Sequence, residues 1–234
     1  MCGRYNVLTS AQGFVDLLSV LIEIDKKLEQ GPRYNIAPTQ PVLAVRQSSS
    51  QDSAEMVMLR WGLIPFWAKD QTIGNRLINA RSETAASKPA FRQSFKKRRC
   101  LIAADGWYEW QKAPGGKQPY FIHRKDNLPF FFAGLWERWE GADEQGQTID
   151  VESCTILTGD APEDLKSIHP RMPVALDMGL YEQWMDPNNT DPKGANEVLL
   201  QRPMNVFEAH PVSTFVNKPA NDSPQCIEPI GESP

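Results

Sequence analysis

Cysteine and histidine are scarce in this sequence, and their spacing excludes several kinds of site. The chain has 4 cysteines and 3 histidines among 234 residues. The cysteines, at positions 2, 100, 154 and 226, form neither a CxxC pair nor a Cys/His finger spacing. A chain of this length also buries enough surface to fold without disulfide staples. We therefore expect no zinc site, no disulfide framework, no other metal and no cofactor.

Long apolar runs and repeated segments are missing as well. No stretch of 18 apolar residues occurs, and the first residues have neither a cationic lead nor an apolar run before a small-residue cleavage site. The sequence contains no internal repeat and no glycine-rich phosphate loop. We expect a cytoplasmic protein that has no membrane partner.

The charge is slightly negative but unevenly distributed. The net charge is −4, whereas residues 60–124 hold 13 Lys and Arg against 4 Asp and Glu, so that this segment carries +9 and the remainder −13. One face of the protein could therefore accept phosphates while the rest repels them. A basic run such as Lys96–Arg99 is equally typical of a solvated helix end, and charge alone leaves both interpretations open.

Residue periodicity predicts one α+β domain. Residues 10–30 carry apolar side chains at helical spacing, with Ser10 as the N-cap and Gly31-Pro32 as the end. Further helices are predicted at 87–97, 178–186 and 194–201. Short extended runs separated by turn residues favour a mainly antiparallel sheet that curls on itself; they lie at 41–46, 55–60, 99–104, 119–123, 129–135 and 151–158. Residues 219–234, with four prolines, are expected to form an extended, mobile tail.

The second residue, Cys2, offers unusual chemistry if Met1 is removed, because the mature chain then begins with both an α-amine and a thiol. At cellular pH the amine is partly neutral and the thiol is expected to be partly ionised. A neutral amine condenses with an aldehyde to an imine, and the adjacent thiol can close a five-membered thiazolidine ring. An internal cysteine cannot do this, because its nitrogen lies in a peptide bond. On its own, a cysteine at position 2 is more often accidental.

Two further segments carry candidate acid-base groups. His169 lies between Ser167 and Pro173 in a loop that prolines make rigid, two residues from Arg171. Glu109 lies in a run rich in aromatic residues, a setting that raises a carboxyl pKa by desolvation, as a general acid near neutral pH requires. Pairing of Glu109 with an arginine is an equally good interpretation at this point. His123 and His210 fit structural positions.

Aromatic and cationic residues occur together in the segments 61–67 and 77–84. Tryptophan rings such as those of Trp61 and Trp67 can stack on unpaired bases, Arg81 can contact a phosphate, and Asn79 can hydrogen-bond a sugar hydroxyl. This combination is typical of proteins that bind single-stranded DNA. Taken singly, such tryptophans are more often core residues.

Taken together, these segments resemble the SOS response-associated peptidase (SRAP) family, the abasic-site DNA–protein crosslinking proteins of bacteria and eukaryotes. The resemblance runs from residue 1 to about residue 218, which we take as one SRAP-like domain followed by the tail 219–234. It rests on seven blocks in order: Met1–Tyr5, Arg33–Pro38, Trp61–Pro65, Asn79–Thr84, Arg99–Ile102 with Gly106–Trp110, His169–Pro173, and His210–Ser213 with Asn217.

The resemblance implies a fold, an activity and a set of site residues. The implied fold is a bifurcated, mainly antiparallel sheet containing a small closed β-barrel, with surrounding helices. The implied activity is covalent thiazolidine crosslinking to abasic sites in single-stranded DNA during the DNA damage (SOS) response, with self-processing peptidase and abasic-site lyase activity besides. The catalytic residues would be Cys2, Asn79, Glu109 and His169; the DNA-binding residues would be Arg4, Asn35, Pro38, Trp61, Trp67, Arg81 and Arg171.

The partner implied is single-stranded DNA containing abasic sites, bound by a monomer that is nucleoid-associated when on DNA. Two other function classes remain open at this stage. An N-terminal nucleophile amidohydrolase would also begin with Cys-Gly after methionine loss and would use the same free amine as its base. A noncatalytic single-strand DNA-binding module would use the aromatic and basic residues without any reaction at Cys2.

Overall fold

The computed structural model describes residues 2–18, 22, 28, 30–48, 53–142, 145–203 and 205–231. Within these residues the chain folds into two sheets and several short helices. No helix among them is long and apolar enough to cross a membrane.

The first sheet is antiparallel throughout and carries the amino-terminal strand near its edge. In the described part of the chain it has five strands, and their spatial order is β12 (Phe207–Pro211), β8 (Gly116–Arg124), β7 (Gly106–Ala113), β1 (Tyr5–Val7) and β2 (Arg33–Ile36). Strand β1 pairs with β7 through Tyr5–Trp107 and Asn6–Gly106. This pairing places the start of the chain beside the aromatic segment that contains Glu109.

The second sheet closes on itself. Its order is β10 (Thr148–Asp160), β4 (Ala54–Trp61), β3 (Pro41–Gln47), β6 (Arg99–Ala104) and β9 (Phe130–Ala142), and β9 pairs again with β10. Only β10 and β4 run parallel within this five-stranded barrel. Two short strands, β5 (Asn79–Arg81) and β11 (Arg171–Pro173), extend β10 beyond the barrel. The predicted α+β fold with a small closed barrel is confirmed. Five of the six predicted extended runs lie wholly within strands, and the sixth, 129–135, begins one residue before β9.

Alternate residues of the barrel strands pack into two different apolar clusters. On β6, Leu101 and Ala103 pack with helix residues on the outside, whereas Cys100 and Ile102 pack with the inner cluster. This alternation follows from the period of two along a strand. The inner cluster extends to the first sheet and includes Cys2 and Trp107. The amino-terminal residues are therefore part of the core where barrel and sheet meet.

The helices are short, and they differ in part from the prediction. They are α1 (Ala11–Val15), α2 (Ser82–Ala85), α3 (Arg92–Lys97), α4 (Glu163–Lys166), α5 (Tyr181–Met185) and α6 (Pro192–Leu200), with 3-10 turns at Gln71–Arg76, Met178–Leu180, Thr214–Asn217 and Pro224–Cys226. Ser10 caps α1 as predicted, but α1 ends at Val15 and does not continue through residues 16–18, so the predicted helix 10–30 is wrong there; residues 19–21, 23–27 and 29 lie outside the described residues. The helix predicted from residue 87 begins only at Arg92, after a turn.

The segment that follows residue 218 packs on the domain. Asp222 accepts a hydrogen bond from the backbone N–H of Asn35 at 3.0 Å and pairs with Arg33 at 3.0 Å. Cys226 is fully buried in a small cluster with Tyr108, and Pro229 bridges to Val212. The expectation of a mobile tail is therefore wrong for residues 219–231, because Asp222 and Cys226 anchor the extended backbone.

Candidate active site

Cys2 lies at the junction of barrel and sheet, directly before β1. Its side chain is fully buried, and the thiol donates a long hydrogen bond of 3.6 Å to the backbone carbonyl of Arg4. Burial raises the pKa of the Cys2 thiol well above its ordinary value, and the negative charge of Glu109 raises it further. With Met1 attached, the surrounding core therefore opposes a thiolate at Cys2; the partial ionisation expected for the chain without Met1 stays a prediction.

Asn79 holds the backbone of Cys2 in place. It begins β5, which runs parallel to β10 and pairs with it at Ile156. Its side-chain N–H donates a hydrogen bond of 2.7 Å to the Cys2 carbonyl oxygen. The other end of the amide, Oδ1, is buried and has no hydrogen-bond partner among the described residues. Asn79 thus orients Cys2 with one atom and has an acceptor left for a further donor.

Glu109 faces the same side of β7 as Trp107, toward the core that contains Cys2. Only 3% of Glu109 is exposed. Burial raises the pKa of this carboxyl to about 7, and the positive charge of the amino terminus acts in the opposite direction. A carboxyl with a pKa near 7 can both donate and accept a proton at cellular pH. Of the two interpretations of Glu109 left open by the sequence, desolvation describes its environment.

His169 follows α4 and is held by the backbone of Arg171. Its Nδ1 lies 3.0 Å from the amide nitrogen and 2.9 Å from the carbonyl oxygen of Arg171, so this backbone can hold the ring in either tautomer. Burial lowers the pKa of His169, and the amino-terminal charge lowers it further. The same amino-terminal charge acts on Cys2 and Glu109. Of the four predicted catalytic residues, the structure places Asn79 in contact with Cys2 and Glu109 close enough for its charge to act on the Cys2 thiol, whereas His169 contacts the backbone of Arg171.

The three arginines predicted to contact phosphates have different surroundings. Arg171 makes a bidentate ion pair with Glu83 at 2.8 and 2.9 Å and contacts Asp160 at 3.0 Å. Arg4 donates to the Asn35 side chain at 2.9 Å and to two backbone carbonyls of residues 216 and 217. Arg81 is exposed and has no ion pair in the part of the chain that the structure describes. Arg81 is thus the most accessible of the three to a phosphate.

The predicted channel residues also divide into buried and exposed positions. Trp61 is fully buried, and its ring N–H donates to the carbonyl of Ile78 at 2.9 Å. Asn35 is buried, with its amide donating to the carbonyls of residues 216, 218 and 221. Pro38 is half-buried in the turn before β3, whereas Trp67 is 49% exposed. Of the two tryptophans, only Trp67 presents a ring to solvent.

Sequence reasoning missed the role of Glu83. This residue lies within the block Asn79–Thr84, but nothing in the pattern assigned it a partner. In the structure the Glu83 carboxylate forms an ion pair with the guanidinium of Arg171. Partial burial would raise the pKa of Glu83, but this ion pair lowers it. A phosphate that reached Arg171 would have to compete with this carboxylate. The charge pattern alone could not reveal this, because the two residues are 88 positions apart.

Known proteins resemble this chain over nearly its full length. Residues 1–219 match the family described as SOS response associated peptidase (SRAP). Two relatives are named abasic site processing proteins: YoaM of Bacillus subtilis is 39% identical over 97% of this chain and 98% of its own length, and YedK of Escherichia coli is 34% identical over 98% of this chain and 100% of its own. A crystal structure of a protein from Bacteroides thetaiotaomicron has a TM-score of 0.84, covers 98% of this chain and 100% of its own, and is 24% identical. The last likeness concerns the fold.

Proposed function

Because the chain belongs to the SOS response associated peptidase family, we propose that it attaches covalently to abasic sites in single-stranded DNA through Cys2. The observation that carries this proposal is the hydrogen bond from Asn79 to the Cys2 carbonyl, next to the buried Glu109 whose charge acts on the Cys2 thiol. An abasic site exposes an aldehyde when its sugar ring opens, and aldehydes are the partners of a free amine next to a thiol. The relatives' names point to the same class of lesion.

The reaction begins with hydrolysis of the peptide bond between Met1 and Cys2, which consumes one water and frees the Cys2 amine. This step is the self-processing activity that the family name suggests. The Asn79 side chain holds the Cys2 carbonyl oxygen at 2.7 Å, so the new amine stays in place. The buried Oδ1 of Asn79 is a suitable acceptor for one of its N–H groups.

The amine then attacks the aldehyde carbon, and loss of water gives an imine. The neutral form of the amine is required, and Glu109, with its pKa raised to about 7, can accept the proton that the amine gives up and return it to the departing hydroxyl. His169, whose pKa burial lowers, is neutral at pH 7 and can donate to or orient the hydroxyl of the opened sugar. The imine is also the intermediate from which a lyase reaction would start.

The ring closes when the Cys2 sulfur attacks the imine carbon. The new bond joins sulfur to carbon, and the thiol proton passes to the imine nitrogen, so that amine, thiol and aldehyde together yield a thiazolidine and one water. With Met1 attached, burial and the charge of Glu109 raise the pKa of the thiol and so favour its neutral form. We therefore take the amine as the first nucleophile, and the positive charge of a protonated imine then favours release of the thiol proton.

Intact-mass analysis after incubation with an abasic oligonucleotide tests this proposal. We expect a protein without Met1 whose mass rises by that of the DNA minus one water and whose adduct survives boiling in detergent. The variant Cys2→Ala should lose the adduct and keep most of its reversible binding, since phosphate and stacking contacts lie elsewhere. Cys226→Ser, which alters a cysteine in the separate apolar cluster around Tyr108, should crosslink normally.

Two further variants separate the chemical steps. Cys2→Ser keeps the amine, so we expect an imine that borohydride traps but no stable ring. His169→Ala should slow crosslinking by a factor of about 10² to 10⁴ without a matching loss of DNA affinity. Equal crosslinking by Cys2→Ala and the parent protein would contradict the thiazolidine chemistry. Reversible binding alone, in every variant, would support a noncatalytic binding module instead.

A further inference from the structure

A pocket of about 250 Å³ lies on the face of the first sheet that is turned away from Cys2. We call it the outer pocket; its lining includes Asn6, Asp105, Phe121, His123, His210 and Ile227. Along β1, Tyr5 pairs with Trp107 and packs into the core with Cys2, whereas Asn6 pairs with Gly106. Because side chains alternate along a strand, Asn6 points away from the catalytic residues and toward this pocket.

Asn6 is the unusual residue of the outer pocket. It is fully buried, and neither its Nδ2 nor its Oδ1 has a hydrogen-bond partner among the described residues. A buried carboxamide that lacks partners is costly, because it has given up its hydrogen bonds to water. A ligand that offers one acceptor and one donor side by side would satisfy both atoms at once.

Flat rings form one wall of the outer pocket. The rings of Phe121 and His123 are stacked, with centroids 5.3 Å apart and an angle of 16° between their planes. The His210 ring meets them edge-on at 5.6 and 5.5 Å. Backbone contacts fix both imidazoles, since His210 Nε2 lies 2.8 Å from the carbonyl oxygen of Ile227 and His123 Nδ1 lies 2.9 Å from that of Arg124. The wall is therefore preorganised for a planar ligand.

The charges around the outer pocket argue against a phosphate ligand. No lysine or arginine occurs among its described lining residues. The one carboxylate, Asp105, is already occupied: it accepts from the backbone N–H groups of Leu8 and Thr9 at 2.6 and 3.0 Å and from the Thr9 hydroxyl at 2.6 Å. The pocket thus suits an uncharged, planar and hydrogen-bonding group.

We propose that the outer pocket binds an adenine base, which stacks on the aromatic wall and pairs with the side-chain amide of Asn6. An asparagine amide matches the amino group and ring nitrogen of adenine with two hydrogen bonds, whereas the same edge of guanine presents two acceptors. Stacking on aromatic rings is open to any base, so the amide supplies the selectivity. The base can belong to a free nucleoside or to a DNA strand, and the binding does not depend on the reaction at Cys2.

Calorimetric titration with adenosine and with guanosine tests this proposal, because the two purines stack alike and differ at the edge that Asn6 would contact. We expect adenosine to bind at least about tenfold more tightly than guanosine. The variant Asn6→Leu, of similar size, should lose at least about tenfold in adenosine affinity, while its crosslinking to abasic DNA stays unchanged. Its melting temperature without ligand should not fall, since an unpartnered polar group has been replaced by an apolar one.

A second variant keeps the test decisive if Asn6→Leu folds poorly. His123→Ala removes the partly buried imidazole from the wall and should weaken the binding of both purines, leaving the preference for adenosine. Displacement of adenosine by oligo-dA but not by oligo-dT would assign the base to a DNA strand, and displacement by neither would assign it to a free nucleoside. Equal adenosine affinity in Asn6→Leu and the parent protein, or no binding of either purine, would overturn the proposal.

Discussion

Replacing Glu109 by glutamine tests whether the proposed acid-base carboxyl lies in surroundings that oppose its charge. In the folded chain, burial raises the pKa of Glu109 to about 7. In the unfolded chain the side chain is in water, and its pKa is about 4.3. Between these two pH values the unfolded state loses the proton while the folded state keeps it. Glu109 therefore costs stability increasingly as the pH rises from about 4 to about 7, and the cost is constant above that range.

The structure sets the size of this cost. A rise of the pKa from about 4.3 to about 7 corresponds to between about 3 and 4 kcal/mol, at about 1.36 kcal/mol per pKa unit. Because only 3% of Glu109 is exposed, screening by water reduces this cost little. Glutamine has the same shape and no charge. The variant Glu109→Gln should therefore unfold with a free energy about 3 kcal/mol higher at about pH 8.5, but only about 1 kcal/mol higher at about pH 5.

Urea unfolding followed by tryptophan fluorescence at the two pH values measures this difference. Glu228→Gln is the matched control, because Glu228 is exposed and should show the same small change at both values. Under the proposed mechanism Glu109→Gln should also crosslink more slowly, by a factor of about 10² to 10⁴. A stability difference that does not change between the two pH values would refute the assignment of a desolvated, ionisable Glu109.

Other consequences can be measured independently. If about three phosphates are contacted, log affinity for single-stranded DNA should fall with log salt at a slope near −2, as measured by fluorescence anisotropy. Arg81→Ala should make this slope shallower by about 0.7. A salt-independent affinity would exclude Arg81 from the DNA path. Glu83→Gln removes a carboxylate from Arg171 and should make the same slope steeper by about 0.7, and no change would mean that Arg171 stays with its protein partners. Gly106→Ala should lower the free energy of unfolding by about 1–3 kcal/mol, because a Cβ there would lie 2.6 Å from the Phe121 ring and 2.7 Å from the Ile122 carbonyl oxygen. The control Gly31→Ala should leave the free energy of unfolding unchanged, because a Cβ there would meet nothing within 4 Å.

Much of the fold could be predicted from the chain itself. Short extended runs separated by turn residues located the strands, because both signals are local properties of the sequence. Helix boundaries were less accurate: the turn that precedes Arg92 contains residues that are equally compatible with a first helical turn. The segment after residue 218 was misjudged because its prolines indicate an extended backbone but not what that backbone contacts. Asp222 binds Asn35, which is 187 positions away.

The sequence by itself determined which residues are the candidates for the proposed chemistry. The position of Cys2, the rarity of histidine and the ordered blocks around Asn79, Glu109 and His169 identified the family, because reactive groups must be of particular types whatever surrounds them. The environment of Glu109 was left open, and that of the Cys2 thiol was not foreseen. Whether a thiol is ionised or a carboxyl holds its proton depends on burial and on nearby charges, and these come from distant parts of the chain.

Only the tertiary structure decided which charges are available to DNA. The sequence showed a segment of +9, but Arg99 from that segment is buried and donates to the carbonyls of Trp184 and Asp186. Arg171 is occupied by Glu83, and Arg81 remains exposed. The physical reason is that a guanidinium binds any acceptor that folding brings within reach, so the number of charges is fixed by the sequence and their accessibility by the packing.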